Sequence, residues 1–219
     1  MTRPTPPRAP TIAQLLDEYQ QFADLLGLLE APAWNRTTRC STWHVCDIAG
    51  HVVGQAVETV SGTIGTRSPD EQAASLRHLP PSTLALQLLD AREKMAGLAA
   101  TFDDTVWERP SLLGDFTIGQ GMHSLVADTF IHADDIRDAL GRPSATGPAL
   151  YTSIDFVLGR LSRDRAALAD RDVASLLFLP PENITQATGL DPHEFLLAAT
   201  GRRDTTSLGL PPRINIFRS

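Results

Sequence analysis

Residues 119–140 read GQGMHSLVADTFIHADDIRDAL and are followed by Gly141, Arg142 and Pro143. A glycine stop followed by a proline is typical of a helix C-terminus, so this stretch predicts one long helix from about Gly119 to Leu140. Within it Asp128, His132 and Asp135 recur at spacings of four and three. Those spacings place the three polar side chains on one helical face. The helix therefore carries chemistry on a face that would otherwise pack against its neighbours.

Three further amphipathic helices precede this one. The first begins at the N-cap residue Thr11, the second near Ser41 or Thr42, and the third at Ser82, each followed by apolar residues at helical spacing. Four amphipathic helices predict a mainly α protein built on a four-helix bundle. The long polar link at residues 66–81 permits a crossover connection between the second and third helices.

The chain divides into three predicted parts. Residues 1–10 are rich in proline and lack an apolar signal core, so we expect a short disordered lead. Residues 11–141 form the predicted bundle. Residues 142–219 are expected to hold a helix that begins near Pro148 and a small α or α/β extension.

Composition excludes several classes of partner. The formal net charge is -7, with 19 Lys and Arg against 26 Asp and Glu, and no basic cluster that would attract nucleic acid or an anionic membrane. No apolar run reaches the roughly 18 residues of a transmembrane helix. The two cysteines do not indicate a disulfide framework. We therefore expect a cytoplasmic protein, and the sequence leaves its oligomeric state open.

A second polar ladder lies on the second predicted helix, where Trp43, Asp47 and His51 are spaced by four. Asp128 and His132 can direct a carboxylate oxygen and an imidazole nitrogen to one point. If the two helices face each other, His51 supplies a third ligand. Two histidines and one carboxylate leave a coordination position open for water or substrate, which is typical of a catalytic metal site.

Simpler interpretations exist for each part of this pattern. A single Asp-x-x-x-His pair is usually an exposed local hydrogen bond, and a lone histidine is more often a core or surface residue than a ligand. A zinc site made by Cys40, Cys46 and His51 is the weaker alternative, because the five-residue spacing from Cys46 to His51 rotates these two side chains apart. His44 lies about 10 Å along the helix from His51, too far to share one ion.

Two segments resemble the mycothiol-dependent maleylpyruvate isomerase family of the DinB-like superfamily. STWHVCDIAGH at residues 41–51 is similar to the family motif gWtv.D…aH, and DTFIHADDIRDALG at residues 128–141 is similar to E…H.wD.rdAlG. Residues 189–202 resemble the closing stretch of the family's C-terminal region. The chain departs from the family pattern at Asp128, which is usually Glu, and at Asp134, which is usually aromatic.

The resemblance implies an enzyme with a divalent metal, most simply Zn²⁺, held by His51, Asp128 and His132. It implies mycothiol as a thiol cosubstrate, activated as a thiolate for cis-trans isomerisation of a small electrophilic substrate or addition to it. A thiol S-transferase of detoxification or biosynthesis would use the same site. A non-catalytic DinB-like bundle that binds a small molecule is the second alternative, and a DNA-associated role is disfavoured by the acidic charge.

The resemblance also assigns supporting roles near the predicted site. Asp47 is expected to accept a hydrogen bond from a ligand imidazole, as ligating histidines require. Asp135 and Arg137 are expected to bind the polar cosubstrate or to cap the helix. Trp43 is interpreted as core packing, and no catalytic residue is predicted beyond the metal site.

Overall fold

The computed structural model describes residues 3–40, 42–114 and 116–217. It forms two compact units, of which one is Thr5–Ala145 and the other contains residues 3–4 and 146–217. Within these described ranges, no helix is both long enough and apolar enough to span a membrane.

The first unit contains the predicted bundle. Its helices in chain order are α1 (Arg8–Gly27), α2 (Ala31–Trp34), α3 (Val45–Ser61), α4 (Pro69–Leu76), α5 (Pro81–Ala99), α6 (Asp104–Trp107) and α7 (Ile118–Ala139). Helices α1 and α3 each pack against both α5 and α7, so α1 and α3 lie diagonally opposite in the bundle. This arrangement confirms the mainly α, four-helix bundle with a crossover connection.

Helix α1 begins earlier than the sequence predicts. It starts at Arg8, and the hydroxyl of Thr11, the predicted N-cap, instead donates to the carbonyl of Pro7 at 2.8 Å. Residues 8–10, expected to belong to a disordered lead, are therefore helical. Met1 and Thr2 lie outside the described residues.

Helix α3 begins later than predicted, at Val45, because His44 serves as its N-cap. The backbone N–H of His44 donates to Asp47 Oδ2 at 2.9 Å and closes a capping box. Thr42 therefore precedes the helix, and Ser41 lies outside the described residues. Trp43 is also outside α3, so the expected ladder of three residues on that helix contains only two.

The polar link at residues 66–81 contains α4, a helix that the sequence analysis missed. A capping box between Ser68 and Glu71 begins it, and α4 packs along α3. Two glycines of α3 make this approach close: a Cβ added to Gly50 would lie 2.8 Å from the carbonyl oxygen of Ala73, and one added to Gly54 would lie 3.1 Å from Gln72 Cβ. The lack of a side chain at Gly50 and Gly54 thus allows α4 to pack closely against α3.

Gly50→Ala is expected to lower the free energy of unfolding by about 1–2 kcal/mol. The added methyl group meets backbone atoms of α4, and such overpacking costs about 1–3 kcal/mol, which exceeds the gain in helix propensity of roughly 1 kcal/mol. Urea unfolding measures the change. Gly97→Ala on α5 is the matched control, since its Cβ would meet nothing within 4 Å; it should stabilise the chain slightly. Equal effects at both positions would contradict close α3–α4 packing.

The second unit is helical too. Its helices are α8 (Pro148–Leu161), α9 (Arg165–Ala169), α10 (Arg171–Leu176), α11 (Ile184–Thr188) and α12 (Pro192–Ala199), with three short 3-10 turns. No β-strand forms among the described residues, so the extension is α and not α/β. Arg3 belongs to this unit, where it pairs with Asp155 and donates to the carbonyl of Leu177 at 2.7 Å.

Candidate metal centre

The bundle brings the three predicted ligands together. His51 lies on α3, and Asp128 and His132 lie one turn apart on α7. One ligand atom from each residue falls within 4.8 Å of the other two. Asp128 Oδ2 is 3.2 Å from His51 Nε2, and Asp128 Oδ1 is 3.7 Å from His132 Nε2. Aspartate is shorter than the glutamate usual at this position, but the Asp128 carboxylate still lies close to both imidazoles.

The far side of each imidazole is held by a polar partner. His51 Nδ1 lies 2.8 Å from Gln72 Oε1, and His132 Nδ1 lies 3.1 Å from Asp135 Oδ2. Both rings thus present Nε2 to Asp128. Metal-ligating histidines regularly donate their other ring N–H to a polar partner, and the donor set of two imidazoles and a carboxylate suits a zinc-type ion. The residues present fit a divalent metal.

Burial and charge distinguish the three candidate ligands. His51 and His132 are buried, whereas 28% of the Asp128 side chain is exposed, so the cluster opens toward solvent beside Asp128. Burial lowers the pKa of His51, but the charge and hydrogen bond of Asp128, with smaller contributions from Gln72 and Glu58, raise it more, and the net pKa is raised. The Asp128 carboxylate therefore stabilises the protonated form of His51.

Trp43 was predicted to pack in the core, but it lies at the site. Its ring centroid is 5.1 Å from that of His51 and 5.6 Å from that of His132. Its Nε1 donates to Asp70 Oδ1 at 2.8 Å, and the residue is half-buried. The indole therefore forms one wall of the cluster, and its fluorescence should report on a bound ion.

Asp47 does not take the role expected of it. Its Oδ2 closes the capping box of α3, and its Oδ1 accepts from Arg77 Nη1 at 2.8 Å. At the third residue of the helix its carboxylate is drawn to the free N–H groups of the first turn. Gln72 of α4 occupies the position at His51 that Asp47 was expected to hold.

Asp135 faces His132 from inside the bundle. It has no exposed surface, and Arg39 Nη2 lies 3.4 Å from its second oxygen. Arg39 also pairs with Asp134 at 2.6 Å, which explains how an acidic residue is accommodated where the family usually has an aromatic one. A carboxylate buried in this way orients His132 and is not available to a diffusing cosubstrate.

Arg137 points to a different part of the bundle. It follows Asp128 by nine residues, which places it on the opposite side of α7. It lies close enough to Glu18 of α1 for its charge to lower the Glu18 pKa, although burial and Asp17 together raise that pKa to about 7. The geometry does not bring Arg137 to the three ligands.

Tyr19 lies near the site, and no sequence pattern singled it out. It is fully buried on α1, and its hydroxyl has no hydrogen-bond partner among the described residues. Burial, then the negative charge of Asp128, raises its pKa above the ordinary tyrosine value. A buried hydroxyl without a partner is costly, which favours a bound group or water beside Asp128.

The cysteine alternative is not supported. Among the described residues, the cluster of ligand-type side chains contains His51, Asp128 and His132, with neither Cys40 nor Cys46. Burial, then the charge of Asp47, raises the pKa of the Cys46 thiol. A thiol of that kind is a poor source of the thiolate that zinc requires.

An apolar cavity of about 170 Å³, open to solvent, lies farther along α3 and α7. Leu125 and Gly121 line it from α7, and they precede Asp128 by one and two turns. Phe102, Leu113 and Ile64 supply other walls. None of the described lining residues is charged. The cavity begins about 5 Å along the helix axis from Asp128.

Fold and site together define a class, a helical bundle with a histidine–carboxylate cluster between two of its helices. The family model described as mycothiol maleylpyruvate isomerase N-terminal domain matches residues 15–137. The chain therefore belongs to the mycothiol maleylpyruvate isomerase family. The match ends at residue 137, so the resemblance of residues 189–202 stays a prediction.

A solved structure supports the same fold. The chain is similar to the crystal structure of a mutant of the mycothiol-dependent maleylpyruvate isomerase, with a TM-score of 0.57 and 12% sequence identity over 71% of this chain and 70% of that one. At this identity the likeness establishes the DinB-like helical fold alone. A search of curated proteins finds no match.

Proposed function

We propose that this protein is a metal-dependent enzyme that activates a low-molecular-weight thiol, mycothiol, toward a small electrophilic substrate. The observation that carries the proposal is the convergence of His51, Asp128 and His132 within 4.8 Å, in the family defined by mycothiol chemistry. A bound divalent metal supplies a thiolate at neutral pH, because coordination deprotonates a thiol whose free pKa is about 8.5.

The chain's own residues prepare the site for that chemistry. His51 and His132 direct their Nε2 atoms to one point, while Gln72 and Asp135 hold the opposite edges of the rings. Asp128 adds the negative charge and lies at the solvent side. Thiol and electrophile therefore enter beside Asp128 and not through the buried histidines.

Two reactions share this site. In cis-trans isomerisation the thiolate adds to a conjugated double bond, rotation follows, and the thiol leaves again. In S-transfer the thiolate displaces a leaving group or opens an epoxide, and the thioether remains. The uncharged apolar cavity beside Asp128 favours S-transfer to an apolar electrophile as the second candidate, since an anionic substrate would find no cationic partner among the described residues that line it.

Product analysis distinguishes these functions. Zinc-loaded protein should convert maleylpyruvate with mycothiol recovered unchanged if it is an isomerase, or convert an apolar aryl halide to a stable thioether if it is a transferase. Mass spectrometry of both mixtures, with His132→Ala as the inactive control, measures the outcome. Equal rates for the two proteins with every substrate would contradict an enzymatic role and favour a non-catalytic binding bundle.

A further inference from the structure

A chain of three buried polar side chains leads away from the candidate metal centre. His51 Nδ1 lies 2.8 Å from Gln72 Oε1, and Gln72 Nε2 donates to Glu58 Oε2 at 2.6 Å. Each of the three residues is 3% exposed. Burying a glutamate and a glutamine is costly, and packing α4 on α3 does not require either group.

The geometry of α3 and α4 explains how these three side chains come into contact. Glu58 follows His51 by seven residues, so both lie on one face of α3, about 10 Å apart. Gln72 of α4 spans the gap, and Gly54 between them leaves room for it: a Cβ there would lie 3.1 Å from Gln72 Cβ. The chain thus depends on the glycine-mediated approach of α4.

The carboxylate of Glu58 sets the direction of the hydrogen bonds among these three side chains. An ionised carboxylate only accepts hydrogen bonds, and Arg67 pairs with the other oxygen, Oε1. Gln72 must therefore turn its NH₂ group toward Glu58 and its oxygen toward His51. An oxygen at that position requires His51 to donate from Nδ1. A neutral imidazole with its proton on Nδ1 keeps the lone pair on Nε2. The Asp128 carboxylate, whose Oδ2 lies 3.2 Å from Nε2, competes for a proton at that atom.

We propose that Glu58, acting through Gln72, is a positioning residue that fixes the tautomer of His51 so that the Nε2 lone pair faces the metal position. This inference rests on the proposed function, because the lone pair matters only where a metal binds. His132 receives the same orientation directly from Asp135. His51 receives it from a carboxylate one residue farther away.

Glu58→Gln tests the direction of these hydrogen bonds, because glutamine has almost the same shape as glutamate. Arg67 still requires an oxygen beside it, so the new amide turns its NH₂ group toward Gln72. Gln72 then turns its own NH₂ group toward His51, which must accept at Nδ1 and carry its proton on Nε2. Zn²⁺ affinity should fall by about 10- to 100-fold, the usual effect of losing the hydrogen-bond partner of a ligating histidine.

The exchange variant, Glu58→Gln with Gln72→Glu, is the rescue. The amide at position 58 donates to the carboxylate at position 72, and that carboxylate accepts from His51 Nδ1 again. The proposal expects Zn²⁺ affinity to return to within a few-fold of the original. A role in packing alone predicts no such recovery, because the exchange adds a second change to the same buried contact.

Two readouts separate this proposal from the proposed function. Zn²⁺ titration gives the affinity. Long-range ¹H–¹⁵N spectra at pH 8, assigned with His51→Ala, give the His51 tautomer. They are recorded on metal-free protein that carries Asp128→Ala, because the Asp128 carboxylate otherwise accepts a proton from His51 Nε2. In this Asp128→Ala background we expect Nδ1–H when Glu58 and Gln72 are both present and in the exchange variant, and Nε2–H in Glu58→Gln. An unchanged tautomer in folded Glu58→Gln would overturn the proposal. If the original protein takes up no Zn²⁺, the proposed function fails, while the tautomers still decide whether Glu58 directs His51.

Discussion

Replacing His132 with alanine is expected to abolish binding of a divalent metal. The change leaves only His51 and Asp128 as candidate ligands. The loss of metal affinity should exceed roughly 100-fold, the largest usual effect of removing a residue that only holds a ligating histidine in place. Elemental analysis of protein purified without chelator or affinity-tag metal measures occupancy. Because the Trp43 ring lies 5.6 Å from the His132 ring, quenching of its fluorescence by Co²⁺ gives the affinity independently.

His123→Ala is the matched control for this substitution. His123 lies on α7 as well, nine residues before His132 and therefore on the opposite side of the helix, so it should keep about one metal per chain. Full occupancy in His132→Ala would remove this residue from the ligand set. A folded original protein that takes up no added zinc would mean that the cluster is structural.

The second large effect concerns stability and arises at Glu18. Burial first, then the charge of Asp17, raises the pKa of Glu18 from 4.5 to about 7, against the lowering influence of Arg137. The folded state therefore holds a proton that the unfolded chain releases between pH 4.5 and pH 7. Stability falls as the pH rises through that window. Above pH 7 the buried carboxylate costs about 3 kcal/mol.

Glu18→Gln should remove this cost. We expect its free energy of unfolding to exceed that of the original chain by about 3 kcal/mol at pH 8, and the two to converge within about 1 kcal/mol at pH 4.5. Urea unfolding at both pH values measures the difference. Glu93→Gln, at an exposed position on α5, is the control and should change stability little at either pH. A pH-independent gain in Glu18→Gln would contradict the linkage.

Much of the bundle follows from local signals. The glycine and proline after Leu140 end α7 within one residue of the prediction, and Pro148 begins α8 as predicted. Such signals operate within a few residues of the chain. Helix α4 was missed although Ser68, Pro69 and Glu71 form a local start signal. Its packing on α3 has no such local signal, because that packing depends on Gly50 and Gly54 of the other helix.

The convergence of His51, Asp128 and His132 was also within reach of the sequence. Helical periodicity places Asp128 and His132 on one face, and a bundle needs that face to meet another helix. The hydrogen-bond partners of these candidate ligands could not be predicted from the sequence. Asp47 has the spacing of a partner to His51, yet it lies in the first turn of α3, where the N–H groups of the helix terminus attract it.

The sequence by itself determined the helices, their polar faces and the family, because each depends on residue types at fixed spacing along one segment. Only the tertiary structure decided which other polar groups surround the three candidate ligands. Gln72 reaches His51 across 21 residues of sequence, and Trp43 lies against both histidines although it precedes α3. These contacts depend on how closely two helices approach, and that distance is set by side-chain volume at their interface and not by periodicity.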